Sequence, residues 1–130
     1  MSTSEPSQAQ ASEQIPHRPA EMDKYVDQFL SLVCDTSRRY ILELLSMPDK
    51  SDSATLPERR SGDIARAIGL SAATTSEHLR QLANAGLLSS RREGNTVYYR
   101  LQNHLLITEF HSLLNALYSD YSARSPESSM

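Results

Sequence analysis

A mainly α-helical domain with one small β-hairpin is the fold this chain predicts, and three observations predict it. Apolar residues recur at helical spacing through most of its 130 residues. Glycines fall where helices and a tight turn have to end. A single pair of short extended runs sits between the fourth and fifth helical segments. A hydrophobic fraction of 38% and a charged fraction of 22% suit one small core. No apolar run approaches the ~20 residues of a membrane helix, so no membrane partner is expected. Residues 1–20 show no basic cluster followed by an apolar stretch, so no secretory leader is read there and the cytoplasm is the expected compartment. One cysteine, Cys34, excludes an intrachain disulfide and a single-chain cysteine zinc cage.

Taken in order, residues 1–20 are rich in Ser, Gln, Ala and Pro and predict a flexible tail, as do residues 122–130. The domain is expected over 21–121. Met22, Tyr25, Val26, Phe29, Leu30 and Val33 fall on one helical face. Ile41, Leu42, Leu44 and Leu45 mark a second helix, entered near Asp35 and stopped by Pro48. Residues 47–60 hold two prolines with Asp, Ser and Lys, and predict a mobile loop. Ser61 is expected to cap a third helix with Asp63 in its first turn and Ile64, Ala65 and Ile68 buried; Gly69 ends it. Ser71 can cap the fourth, whose buried stripe is Thr75, Leu79, Leu82 and Ala83, and Asn84-Ala85-Gly86 closes it. Residues 87–92 and 96–101 then form a hairpin across Glu93-Gly94-Asn95. Asn103 is expected to cap a last helix carrying Leu106, Phe110, Leu113, Leu114, Leu117 and Tyr121.

The net charge of -3 conceals a division along the chain. Residues 59–100 hold seven arginines against Asp63, Glu77 and Glu93, a local excess of +4, while the remainder carries -7. A local excess is what a phosphate-binding face needs, although charge alone reads equally well as an ordinary surface. The order of elements is more specific. Two short helices joined by a glycine-containing turn, the second polar on its outer side, form a helix-turn-helix, and such a second helix fits the major groove of double-stranded DNA. Its contact residues are expected to be Ser71, Ala73, Thr74, Thr75, Ser76, Glu77 and Arg80. The hairpin that follows would lie along the duplex as a basic wing through Arg91, Arg92 and Asn95. Glu77 has two readings: acceptor for a cytosine amino group, or partner of Arg80. Tyr98 and Tyr99 alternate along the second wing strand, so one should pack and the other face outward.

Four pieces of the chain together carry a family resemblance. They are Cys34-Asp35-Thr36-Ser37-Arg38-Arg39-Tyr40-Ile41-Leu42; Ser61-Gly62-Asp63-Ile64-Ala65-Arg66-Ala67-Ile68-Gly69-Leu70-Ser71; Thr74-Thr75-Ser76-Glu77-His78-Leu79-Arg80-Gln81-Leu82; and Ala85-Gly86-Leu87-Leu88 with Arg91-Arg92-Glu93-Gly94-Asn95-Thr96-Val97-Tyr98-Tyr99-Arg100-Leu101. In this order and spacing the chain resembles the winged helix-turn-helix of ArsR-type bacterial transcriptional repressors over residues 25–117. Thr36 stands where that family usually has Pro, and Glu77 where His or Arg is common.

The resemblance implies a homodimer built on the first and last helices and an imperfect palindromic operator. Phe29, Leu106, Phe110, Leu113, Leu114, Leu117 and Tyr121 are the expected dimer interface, against the plainer reading of such stripes as core. It also raises metal- or thiol-triggered release. The family's cysteine-type site on the third helix is absent from Asp63-Ile64-Ala65-Arg66-Ala67, and a two-cysteine switch cannot be built from Cys34, which reads as a buried inert thiol. A second type of family site, with carboxylate and histidine ligands on the last helix, has only His104, Glu109 and His111 as candidates. His104 and His111 lie ~10 Å apart along one helix and could meet a metal only across a dimer. The favoured reading is therefore no metal and no cofactor. A sequence-specific regulator, a repressor, is the expected function, with a protein-interaction winged helix or a metal-responsive repressor as alternatives. No nucleophile–base pair, phosphate loop or metal cluster suggests an enzyme.

Overall fold

The computed structural model describes residues 17–47 and 57–125. Contacts divide the chain into two units, residues 1–31 and 32–130. The first unit holds most of α1 (Ala20–Val33), which ends in the second. Glu21 and Asp23 stand in its first turn, where carboxylates oppose the helix dipole, and Asp23 pairs with Arg18 at 3.3 Å. Met22, Tyr25, Val26 and Leu30 are exposed.

The second unit contains α2 (Thr36–Ser46), β1 (Arg59–Arg60), α3 (Ser61–Ile68), α4 (Ala72–Asn84), β2 (Leu88–Glu93), β3 (Thr96–Leu101) and α5 (His104–Arg124). Its core is aliphatic. Ile41, Leu42 and Leu45 of α2 are fully buried with Ile64 of α3, Leu79 and Leu82 of α4, and Leu87 before β2. Leu88, Leu101, Ile107, Phe110 and Leu114 are nearly so. All but Ile107 lie in the apolar stripes or extended runs marked in the sequence; Ile107 takes the inward place expected of Leu106, which is only half-buried.

α2 is entered at Asp35, as expected, and Asp35 is also its cap, the carboxylate accepting the Arg38 backbone N–H at 3.0 Å. That bond, with the nearby Arg38 charge and the Ser37 N–H adding to it, holds the Asp35 carboxyl below its ordinary range. α2 ends at Ser46, whose hydroxyl donates to the Leu42 carbonyl at 2.7 Å; Pro48 lies outside the described residues.

Several expectations need correction. Of the expected mobile loop at 47–60, residues 48–56 lie outside the described residues, and Arg59 and Arg60 form a strand. The sheet is therefore three-stranded and antiparallel, ordered β1-β3-β2, with Arg59 opposite Tyr99 and Arg60 opposite Tyr98. With β3 central, both Tyr98 and Tyr99 are half-buried, so neither simply faces out. Ser61 is the first residue of α3 and not its cap; Arg60 takes the cap position without a side-chain bond, because strand pairing carries the chain straight into the helix. Asp63, in the first turn of α3, pairs with the side chains of Arg60 at 2.8 Å and of Arg66.

Asn103 does precede α5, but in the left-handed region (φ 60°) and with no side-chain cap bond. α5 continues to Arg124, past the expected boundary at 121, and Arg124 pairs with Asp120 one turn earlier at 2.9 Å. Residues 1–16 and 126–130 of the expected tails lie outside the described residues. Cys34 is exposed in the short α1–α2 junction, not buried: its neighbour Val33 takes the inward position there.

Candidate nucleic-acid interface

The turn between α3 and α4 is built from two residues with separate tasks. Gly69, at φ 77°, adopts the left-handed conformation that ends α3, and both Gly69 and Leu70 N–H groups return to the Ala65 carbonyl at 2.9 and 3.1 Å. Ser71 then caps α4, its hydroxyl accepting the Thr74 N–H at 3.1 Å and donating to the Thr74 hydroxyl at 3.0 Å. These bonds fix the crossing of the two helices.

One stripe of α4 (Thr75, Leu79 and Leu82) is anchored in the core, and Ala73, Thr74, Ser76, Glu77 and Arg80 are exposed on the other side. Thr75 must leave the expected contact set. It is wholly buried, and its hydroxyl has no partner among the described residues. Its place at i relative to Leu79 and Leu82 (i+4 and i+7) turns it inward. Ser71, Thr74 and Ser76 remain on the open side.

Glu77 accepts from Gln81 at 2.9 Å and pairs with Arg80, and these donors, Gln81 first, hold its carboxyl below the ordinary carboxylate range. Of its two sequence readings, the Arg80 pair is the one formed in the free protein. His78 lies beside this face and accepts at Nδ1 from Arg38 Nε at 3.2 Å. The same guanidinium donates to the Leu32 carbonyl at 3.0 Å, and Arg39 donates to that of Val33 at 2.9 Å. Arg38 thus ties the α1–α2 junction to α4. No sequence signal announced this link, because its partners stand 40 residues apart.

The wing turns at Gly94, φ 64°. β2 and β3 pair with Arg91 opposite Tyr98 and Arg92 opposite Val97. Arg92 is exposed and makes no ion pair with any described residue. Arg91 is engaged: its Nε and one Nη meet both Glu58 oxygens at 3.0 and 2.9 Å, and the guanidinium stacks 4.4 Å from the Tyr98 ring centroid. Asn95 is exposed at the wing tip and shares a polar cleft with Arg60, Asp63 and Arg66.

On α5 the expected dimer stripe divides. Phe110 and Leu114 are buried in their own chain and leave the interface set; with Ile107 they make the i, i+3, i+7 face turned to the core. Leu113, Leu117 and Tyr121 are exposed, and Leu106 is half-buried. Phe29, on α1, is half-buried. His104 and Glu109 are exposed, and His111 is half-buried with Nδ1 3.4 Å from the Ser46 hydroxyl. Among the described residues no three His, Cys, Asp or Glu side chains come together as a metal ion would require.

A glycine-turned helix pair whose second helix stands open on one side, followed directly by a paired-strand wing, defines a winged helix-turn-helix domain. The family model described as "Bacterial regulatory protein, arsR family" matches residues 35–90. Over 83 residues the chain is 32% identical to the transcriptional repressor SdpR of Bacillus subtilis (strain 168), covering 64% of this chain and 82% of that protein. It is 35% identical over 78 residues to the cadmium resistance transcriptional regulatory protein CadC of Listeria innocua, covering 60% of this chain and 59% of that one. The crystal structure of NolR from Sinorhizobium fredii superposes with a TM-score of 0.63 at 27% identity, over 81% of this chain and 97% of that chain. The homodimeric winged helix-turn-helix DNA-binding domain Mb0332 of Mycobacterium bovis shares the fold, with a TM-score of 0.62 at 24% identity over 82% of this chain and 93% of that one. The chain belongs to the arsR family of bacterial regulatory proteins. It is a DNA-binding transcriptional regulator and not an enzyme. No helix among the described residues is long and apolar enough to cross a membrane.

Proposed function

We propose that this regulator is a repressor that acts in the cytoplasm as a homodimer, binding a near-palindromic operator with α4 in the major groove and the wing beside it. The observation that carries the reading is the two-sided character of α4: Thr75, Leu79 and Leu82 hold it in the core while Thr74, Ser76 and Arg80 stand exposed. A helix so anchored can present its first turns to base edges without unfolding anything behind it. Arg92, exposed and without an ion pair among the described residues, supplies the wing's charge. Leu113, Leu117 and Tyr121 support the dimer, because they leave an apolar strip on α5 that the described residues do not cover. No metal enters this reading.

Selection of bound fragments from pooled genomic DNA, followed by footprinting, tests it. The expected footprint has two half-sites about one helical turn apart, ~34 Å. Recovery of random fragments with no shared sequence, or a single asymmetric half-site, would overturn it.

A further inference from the structure

The two adjacent wing arginines are in opposite states. Arg92 is unpaired among the described residues, whereas the fork of Arg91 is full. Its Nε and one Nη donate to the two Glu58 oxygens at 3.0 and 2.9 Å, and its other Nη lies 3.4 Å from Glu93. Glu58 immediately precedes β1, and β1 and β2 flank β3. The Glu58–Arg91 pair therefore spans the central strand, passing over Tyr98.

Two features make this more than a surface ion pair. The two carboxylate oxygens meet the guanidinium as two phosphate oxygens would, so Glu58 occupies the geometry a DNA backbone contact needs. The site also stays open to a competitor: the Arg91 side chain is 49% exposed and that of Glu58 30%. An exposed pair is held only weakly and can be exchanged. The Tyr98 ring meanwhile keeps the guanidinium in place whichever anion it faces.

We propose that Glu58 is an affinity-setting residue, an internal competitor that fills the fork of Arg91 in the free protein and yields it to a backbone phosphate when the wing meets DNA. The proposal rests on the wing reading given above. Glu58 adds no contact to the complex. It sets how much of the wing's phosphate contact survives as net affinity.

The test measures binding of a labelled random-sequence duplex at low salt by wild type, Glu58→Gln, Arg91→Ala and the double variant. Glu58→Gln is expected to bind about two- to fivefold tighter, the range over which exposed pairs act. In the Arg91→Ala background the same change should give little further gain. Equal gains in both backgrounds would reduce Glu58 to a distant negative charge and overturn the proposal. Weaker binding by Glu58→Gln would overturn it too, making the pair a brace for the wing. Should Glu58→Gln fold poorly, Glu58→Asp, which keeps the charge but shortens the reach, should reproduce part of the gain. The Arg91 Nε–H NMR signal gives a readout independent of affinity: it should shift in Glu58→Gln and shift again when duplex is added to wild type. If wild type binds no duplex, the wing reading falls and this proposal with it, while the free-protein signal still reports the pair. If Arg92→Ala weakens duplex binding yet the Arg91 signal ignores added duplex, the wing reading stands and the exchange is refuted.

Discussion

Replacing Leu117 by Glu should dissociate the protein without unfolding it. Leu117 is 52% exposed and Leu113 54% exposed, whereas Leu114 beside them is 6% exposed. Fully burying a leucine side chain contributes about 1.5–3 kcal/mol, so covering the open half of Leu117 contributes roughly 1 kcal/mol per protomer. In a two-fold dimer the loss counts twice, about 2 kcal/mol, or roughly thirtyfold in the dimer dissociation constant. A carboxylate left without a partner in that interface adds to the loss. Sedimentation over a concentration series measures the association, and a melting curve measures the fold. Leu117→Glu should shift the dimer equilibrium by thirtyfold or more, melt as a well-folded monomer, and lose specific DNA affinity although no DNA-facing residue has changed. Leu114→Ala should behave differently, costing about 2–5 kcal/mol of the chain's own stability, because that side chain fills the core. The reasoning is refuted if wild type sediments as a monomer at tens of micromolar, or if Leu117→Glu associates as wild type does.

Three further outcomes follow from single side chains. Arg92→Ala should flatten the slope of log K against log salt by about 0.9 per protomer in contact with DNA, as loss of one phosphate contact does; an unchanged slope would remove Arg92 from the interface. Ser76→Ala should cost about 1–3 kcal/mol at the operator and less on random DNA, read by competition titration, and equal losses on both would make Ser76 a backbone contact. Asp35→Ala should cost about 1 kcal/mol at neutral pH through loss of the α2 cap. Because the folded state holds the Asp35 carboxyl below 3.8, its contribution is present above that pH and is lost as pH falls through the lower folded value. The gap between wild type and Asp35→Ala in denaturant titrations should therefore close below about pH 3.8, and a gap that persists there would refute the charged cap.

The sequence made legible what is local. Gly69 and Ser71 are two residues apart, and their turn, the α4 stripe and the wing tip at Gly94 formed where spacing put them. β1 was invisible because Arg59-Arg60 has no strand pattern of its own; it exists only through pairing with β3. The α5 stripe was read one face too wide. At 100° per residue, Phe110 and Leu114 sit about 20–100° around the helix from Leu113 and Leu117, a separation that apolar spacing alone does not divide into core and interface. Thr75 shows the opposite case. Its place on the stripe with Leu79 and Leu82 was already written in the spacing, and the hydroxyl chemistry drew it wrongly into the contact set. The Arg91–Glu58 and Arg38–His78 links join residues 33 and 40 positions apart, beyond the reach of any local pattern.

The fold also changes what the charge of residues 59–100 means. The excess of +4 there treats every arginine as equally available. In the structure Arg60 and Arg66 share Asp63, Arg80 pairs with Glu77, and Arg91 with Glu58 and Glu93. Arg59 has its Nε buried without a partner among the described residues, while Arg92 and Arg100 are exposed and unpaired among them. The immediate positive charge thus falls on the two wing strands, at Arg92 near the tip and Arg100 near the base, and that on α4 is balanced by Glu77. Exposed pairs of this kind are held weakly, so DNA can recruit Arg80 or Arg91 by exchange, but only where a phosphate or base reaches them in the right geometry. A chain with a net charge of -3 can in this way bind DNA. On the reading proposed above, long-range attraction would come from few residues, and the paired arginines would add affinity only after the duplex has docked in register.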